Sequence, residues 1–408
     1  VEVVVAPETT VQILAWTLGG VVLGTVSGLI PGIHANNFAL VLAGVAPAVP
    51  GSSLSVGVAM LAAGVVHTFL NAVPAMALGV PDADTAVTAL PGHRLVAAGR
   101  GGEAIRLSAL GSLLAVLFAV PLALPVTWGV RKLYPSLQAH LSLVLAAVVL
   151  GLVLSEPTWG RRLGGSISFA LATALGVLTL DVDPSAPLDA GGVLAPLFAG
   201  LFGAPVLIDA IGSAGIPPQA DAVIAQSRRA VGEAAGAGAL AGAVVGYIPG
   251  VSSAIAATFA LLALDTTDRG GEREFVVAAS AVNTSNAIFA IFALYALSDA
   301  RTGILVAVEQ IGAPQAIPIW LAAVAIAAVA GALLVLVVGD RYLAAVGRLD
   351  PTWLSIGVLG LLVVLSVVFA GPVGIAVFAA STLIGTIPVR FGARRANCMG
   401  VLLVPLAL

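Results

Sequence analysis

The sequence is poor in charge. Of 408 residues only 9% are Asp, Glu, Lys or Arg, with 17 basic against 20 acidic. A soluble domain carries about a quarter charged residues, so a chain this long has too little polar material to face water, and a soluble globular enzyme is excluded. The formal net charge of -3 excludes the basic patch that nucleic-acid binding needs, so no nucleic-acid partner is expected. A single cysteine, Cys398, excludes an intrachain disulfide and an iron–sulfur cluster. The histidines His34, His67, His93 and His140 lie far apart without metal-ligand spacing, so no metal or other cofactor is expected. No P-loop, zinc-ligand cluster or GxSxG elbow occurs, which leaves no catalytic constellation and no nucleotide site for an ATP-driven pump.

What the chain has is apolar length. Hydrophobic residues make up 60% and mean hydropathy is +1.11, which excludes disorder. One helical crossing takes roughly 20 apolar residues, and the apolar tracts suffice for about ten crossings, with a spread of about eight to twelve. The tracts are long and unbroken, unlike the short alternating strands of a membrane barrel. The expected fold class is an all-α polytopic membrane protein, multi-pass in the cell membrane, with lipid as its main surroundings. Clear spans are expected near residues 11–30, 56–72, 107–126, 139–154, 166–180, 193–211, 234–248, 276–297, 318–338, 356–370 and 373–387. Two shorter tracts, 35–49 and 254–264, suit half-helices or re-entrant segments. The more polar stretch 212–230 divides the chain into an N-terminal half, 1–211, and a C-terminal half, 231–408. Arginines at Arg94, Arg100 and Arg106 favour that end as cytoplasmic by the positive-inside rule.

Glycine and proline are abundant, at 47 and 24 residues, and they are not scattered. Gly24, Gly28, Pro31 and Gly32 recur as Gly242, Gly246, Pro249 and Gly250, each 218 positions later. Asp82, Ala83 and Thr85 recur as Asp299, Ala300 and Thr302, each 217 positions later. Glycines four apart line one helix face and allow two backbones to approach. A following Pro-Gly breaks the helix, and the freed backbone groups must face protein or a cavity. Two broken helices, one per half, are how repeat-built secondary transporters form a site near the membrane midplane. The expectation is therefore two internal repeats, each with a Pro-Gly-broken or re-entrant helix, in inverted arrangement. The bland alternative is that the motifs serve only tight packing and a turn.

The polar residues beside the breaks are the candidate substrate-binding set: Pro31, Gly32, His34, Asn36 and Asn37 in the first half, and Pro249, Gly250, Ser252 and Ser253 in the second. Asn71, Asn283 and Asn286 join them, since an amide in an apolar helix can donate to a carboxylate or bond across helices. Ionisable groups at membrane depth need a reason. Asp82, Asp84 and Asp299, with Thr85 and Thr302, are candidate ligands for a coupling ion, Na+ or H+; a headgroup-level loop is the alternative for each.

Several blocks, taken in order, resemble the TctA family, the large membrane subunit of tripartite tricarboxylate transporters. They are GTVSGLIPGIHANN from Gly24, the stretch Leu70–Ile105, LAPLFAGLFGAPVLI from Leu194, YIPGVSSAIAA from Tyr247 and ASAVNTSNAIFA from Ala279. The resemblance covers most of Gly20–Ile304, weakens over the last hundred residues, and is to a shorter, archaeal-type branch. His34, Asn36 and Asn37 stand where the family continues in glycine. The resemblance implies ion-gradient-driven uptake of small organic anions, di- or tricarboxylates such as citrate, by symport and alternating access. It also implies a small membrane subunit and an extracytoplasmic binding protein as partners; a homodimer is a further arrangement left open. Two other readings stay open at this stage. One is a carrier or flippase of polyprenyl phosphates, with a lateral cavity lined by Arg94 or Arg100. The other is a non-transporting membrane scaffold or intramembrane enzyme.

Overall fold

A computed structural model describes residues 6–31, 33, 35–79, 89–187, 192–212, 215–248, 251, 253–263 and 271–405, without the side chains at 36, 37, 40, 89, 90, 254 and 261–263. Among these residues all regular structure is helical, and eight helices are long and apolar enough to cross a membrane.

Helix α1 (Pro7–Leu29) opens with proline in its first turn, where a missing N–H costs nothing, and stops when Ile30 turns extended before Pro31. Helix α2 (Ala35–Val45) and a 3₁₀ turn (Ala46–Ala48) lead to α3 (Ser53–Leu70), whose first turn is capped by the Ser52 hydroxyl accepting from the Ser55 N–H at 3.2 Å. Only Asn71 separates α3 from α4 (Ala72–Leu78), because Pro74 cannot donate back to Leu70. Helix α5 (Ala89–Ala97) precedes α6 (Gly101–Ala139), which continues through Pro121, Pro125 and Pro135. The span expected to end near residue 126 therefore runs on to Ala139, since membrane helices tolerate proline where neighbouring groups satisfy the freed carbonyls. Helices α7 (Leu141–Leu154) and α8 (Trp159–Thr179) follow. The tract at 193–211 is not one helix: α9 (Leu194–Phe198) passes through a π-helical turn (Ala199–Gly203) into α10 (Ala204–Ala210).

The second part opens with α11 (Arg228–Tyr247), α12 (Ser253–Ala263), α13 (Glu272–Leu297) and α14 (Gly303–Gln310). Helix α15 (Ile317–Val346) leads to α16 (Pro351–Phe391), which is broken at Ala370 and Gly371. Gly371 has φ 56°, and a Cβ there would sit 2.2 Å from the Ser185 carbonyl oxygen, so the two expected spans at 356–370 and 373–387 are separated by a kink that needs glycine. A 3₁₀ turn (Arg395–Met399) and α17 (Gly400–Leu403) complete the described chain.

Helix directions follow from which residues meet. A Cβ at Gly20 would lie 2.2 Å from the Ala59 carbonyl oxygen, one at Gly24 would lie 2.3 Å from that of Ala63, and one at Gly28 would lie 2.8 Å from the Leu70 Cβ. Helices α1 and α3 thus run parallel in backbone contact, and α2 must travel back between them. In the same way Gly238, Gly242 and Gly246 of α11 lie on Ala278, Val282 with Ser285, and Phe289 of α13. These two helices also run parallel, with α12 as the return. Helix α6 runs with α13, Glu103 meeting Arg273 at one end and Tyr134 meeting Arg301 at the other. Helix α15 runs against α6, with Asp340 on Arg106, and along α3, with Ala313 just before it near Gly57 and Gly331 on Phe69. So the α1–α3–α15 set points opposite to the α6–α11–α13 set.

The chain also crosses over. A Cβ on Gly176 of α8 would lie 2.1 Å from the Val401 carbonyl oxygen, while one on Gly385 of α16 would lie 2.3 Å from that of Leu201. Helix α8 therefore packs on α17, and α16 packs on the tract from α9 to α10.

These seams leave no room for a methyl group. Gly24→Ala and Gly242→Ala should each destabilise the protein by about 3 kcal/mol. Gly19→Ala, where a Cβ meets nothing within 4 Å, should be neutral or stabilise by about 1 kcal/mol. Thermal melting of the detergent-solubilised variants decides this; equal melting temperatures for all three would disprove the seam.

Candidate functional site

The glycine seam brings α1 to an end beside the kink of α3, so the first Pro-Gly break lies next to a buried polar group of α3. Ser27, one turn before Pro31, hydrogen-bonds through Oγ to His67 Nδ1 at 2.9 Å, and Phe38 of α2 stacks on the imidazole at 5.7 Å between centroids. Asn71 is buried one turn beyond His67, and its backbone N–H donates to the His67 carbonyl at 2.9 Å. The structure thus joins α1, α2 and α3 around an imidazole that sequence spacing passed over, because a lone histidine in an apolar run carries no local signature. Pro31 lies within the described residues and is half-buried; Asn36 and Asn37 lie in the first turn of α2, with side chains outside the description. Gly32, His34, Asp82, Asp84 and Thr85 lie outside the described residues.

In the second part α11 ends where Ile248 turns extended, and Pro249, Gly250 and Ser252 lie outside the described residues. Ser253 opens α12, is fully enclosed, and its hydroxyl has no partner among the described residues. Along α13 the candidates Asn283 and Asn286 bracket Thr284 and Ser285; Asn283 is buried and Asn286 half-buried, with its backbone against Gly242. Ser280 continues this polar stripe and bonds to Ser108 of α6 at 2.9 Å, while Ser112 donates to its carbonyl at 3.3 Å. Serine hydroxyls therefore line the middle of the α6–α13 contact. The Tyr247 hydroxyl, at the end of α11, is tied to Thr127 of α6.

Two ion-coupling candidates from the sequence have structural partners. Asp299 Oδ2 is 2.7 Å from Arg301 Nη2, and Thr302 caps α14 by accepting from the Leu305 N–H at 3.4 Å. The charge on Asp299 is already met by a guanidinium, which argues against its holding a cation.

The strongest electrostatic feature lies at the arginine-rich end. Glu103, 1% exposed in the first turn of α6, pairs with Arg273 Nε at 2.9 Å and Nη2 at 3.3 Å and with Arg100 Nε at 2.8 Å, and accepts from the Ala225 N–H at 2.8 Å. It fastens the 215–227 connection to both α6 and α13. Gln219 adds to this, its Oε1 accepting from the Gly101 N–H at 2.7 Å. Arg94 lies 3.6 Å from Glu272, in a pair that stays exposed. A second knot joins the two parts: the buried Glu156, between α7 and α8, accepts from the Arg394 N–H at 2.7 Å and Asn397 Nδ2 at 3.0 Å. Burial pushes the Cys398 thiol up to about 12, so this residue is a small apolar filler and not a nucleophile. Among the described residues no group of three or more His, Cys, Asp or Glu is placed to hold a metal ion.

The sequence profile of the Tripartite tricarboxylate transporter TctA family matches residues 14–400. The chain belongs to the TctA family. The match reaches into the last hundred residues, where the resemblance of individual blocks is weakest. An uncharacterized protein of Methanocaldococcus jannaschii, MJ1079, is 32% identical over 205 residues, a region that spans 48% of each chain. No solved structure matches. Membership in this family, with eight helices long and apolar enough to cross a membrane among the described residues, makes this TctA-family chain a multi-pass membrane protein.

Removing one member of a buried ion pair leaves the other uncompensated. Glu103→Ala should cost about 2–3 kcal/mol, allowing for the solvent that reaches Arg100 and Arg273. It should also expose the 215–227 connection to limited proteolysis. An unchanged melting temperature and cleavage pattern would show that Glu103 does not hold the connection.

Proposed function

We propose that this TctA-family chain is an ion-coupled secondary transporter of small organic anions, di- or tricarboxylates, built from two inverted repeats, 1–211 and 231–408, joined through 212–230. The observation that carries this reading is the paired seam. In each half a glycine-lined helix runs parallel to its neighbour, stops at Pro-Gly, and returns as a short helix, α2 or α12. The two pairs point in opposite directions, as an inverted repeat requires. The crossing-over of Gly176 and Gly385 supports the same pairing. So does a further likeness, FALATALG from Phe169 with FAASTLIG from Phe378.

The N-termini of α2 and α12 offer unpaired N–H groups and positive dipole ends to a carboxylate. Pro31, Gly32, His34, Asn36, Asn37 and Asn71 would surround one, and Pro249, Gly250, Ser252, Ser253, Asn283 and Asn286 the other. Binding through N–H groups, amides and hydroxyls at the two breaks fits an anion that must also leave. Na+ or H+ would supply the driving force, with Asp82, Asp84 and Thr85 as the coupling candidates that remain after Asp299 is paired. The excess of arginine at the Arg94–Arg106 end supports that end as cytoplasmic. The tripartite organisation in the family's description makes a small membrane subunit and an extracytoplasmic binding protein the expected partners.

Purified protein in proteoliposomes should accumulate labelled citrate or succinate when a Na+ or pH gradient is imposed, and not without one. His67→Ala and Asn71→Ala should lower uptake about 10- to 100-fold if the polar group beside the first break shapes the site. Gradient-independent leakage, or no uptake of any carboxylate, would defeat the proposal.

A further inference from the structure

At the end opposite the arginine-rich one, α13 closes with Ser298 in the left-handed conformation, φ 51°. A non-glycine residue there is uncommon, and it turns the chain so that Asp299 and Arg301 fold back beside α6. The Arg301 side chain is only 9% exposed, whereas that of Asp299 is 45% exposed. The guanidinium carbon lies 5.5 Å from the centre of the Tyr134 ring, and the Tyr134 hydroxyl accepts from Nη2. Asp299 Oδ2 also bonds to Nη2, at 2.7 Å. Both acceptors crowd one nitrogen, and Nε is buried with no partner among the described residues.

The same molecule contains the comparison that gives this meaning. On Arg273 the carboxylate of Glu103 spans Nε and Nη2 together, at 2.9 and 3.3 Å, filling the side edge of the guanidinium. That two-point fork is the stronger arrangement for an arginine and a carboxylate. Asp299, tethered two residues from Arg301, takes half of the equivalent edge. An untethered carboxylate can take both positions. Resting on the anion-carrier reading above, we propose that Arg301 recognises a carboxylate of the transported anion at the mouth opposite the arginine-rich end. Asp299 occupies that edge until the substrate displaces it, and then turns to the water that already reaches it.

The surroundings favour an anion at this mouth. Arg131 and Lys132 are exposed on α6 just before Tyr134, with the Lys132 ammonium 3.5 Å above the Trp128 ring. Arg131 and Lys132 add two exposed cations to the end of α6 that carries Tyr134. In the sequence, Arg301 stands in the D-A-x-T motif where Asp84 stands in the first, so only the second motif offers a cation.

The test is gradient-driven uptake of labelled citrate and succinate by proteoliposomes of the full chain, with melting temperatures of each variant. Arg301→Gln should raise KM about 10- to 100-fold, and Arg301→Lys, which keeps the charge but loses the fork, should recover only part of it. Asp299→Asn should lower KM, because the internal competitor is gone. If Asp299→Asn raises KM as Arg301→Gln does, with a parallel fall in melting temperature, the pair is a structural ion pair and the proposal is overturned. An unchanged KM in Arg301→Gln with active wild type overturns this assignment alone, whereas wild type without carboxylate uptake overturns it together with the carrier reading.

Discussion

Backbone approach along glycine seams is the contact on which the rest of this molecule depends. Lipid offers helices no hydrophobic reason to associate, so close van der Waals packing and satisfied polar groups must hold them. Gly20, Gly24 and Gly28 let α1 lie directly on the carbonyls of α3, and Gly238, Gly242 and Gly246 do the same for α11 on α13. The parallel direction of each pair follows from this register, and it obliges α2 and α12 to run back across the layer. A chain reversal after each seam is then a geometric necessity, and the sequence places Pro-Gly at both points. In the two-repeat reading, the same contact produces both the rigidity of the scaffold and the irregularity that a binding site needs.

Charge is handled by exclusion to the ends. The Glu103 cluster binds the connection between the two halves to the ends of α6 and α13, and Glu156 binds the α7–α8 turn to the segment after α16. Each carboxylate is buried, and each is met by guanidinium or N–H groups, as a low-dielectric setting demands. Between the ends the polar groups along α3 and α13 are hydroxyl, amide and imidazole. That division leaves the buried charge pairs to clamp the scaffold and neutral dipoles to line its interior.

How far the sequence could be read follows from which interactions are local. The helical class and most of the spans are local properties, written in runs and spacings, and the structure carries them, with eight membrane-length helices among the described residues where about ten crossings are expected and the 193–211 tract broken. The partners of particular polar groups are not local. His67 looks like any histidine in an apolar run until Ser27 and Phe38 arrive from other helices. Glu103 and Arg273 are 170 positions apart, and nothing in either neighbourhood announces the other. Asp299 shows the opposite failing: a membrane-depth aspartate suggests a cation ligand, but Arg301, two positions on, already neutralises it. The π-helical turn at Ala199–Gly203 has no sequence marker distinguishable from the glycines around it. The cross-packed likeness of FALATALG and FAASTLIG was available by self-comparison, yet two short apolar stretches gain weight only once their glycines are seen on reciprocal carbonyls.

That reciprocity bears on how such a molecule could move. Helix α8 rests on α17 and α16 on the tract from α9 to α10, so in the two-repeat reading neither half is a closed body that can rock alone. Motion would have to slide along a seam or bend at a break. The seams resist sliding, because a glycine that leaves its carbonyl meets the next side chain along the ridge. The breaks offer less resistance. Ile30 and Ile248 are already extended where α1 and α11 stop, and Gly371 already holds a positive φ inside α16. Hinges are the places where few hydrogen bonds must be remade. On the carrier reading the short returning helices α2 and α12 would be the elements that shift against a scaffold of seamed pairs. On that reading His67 of α3, on which Phe38 of α2 stacks, would stay with the scaffold while α2 moved past it.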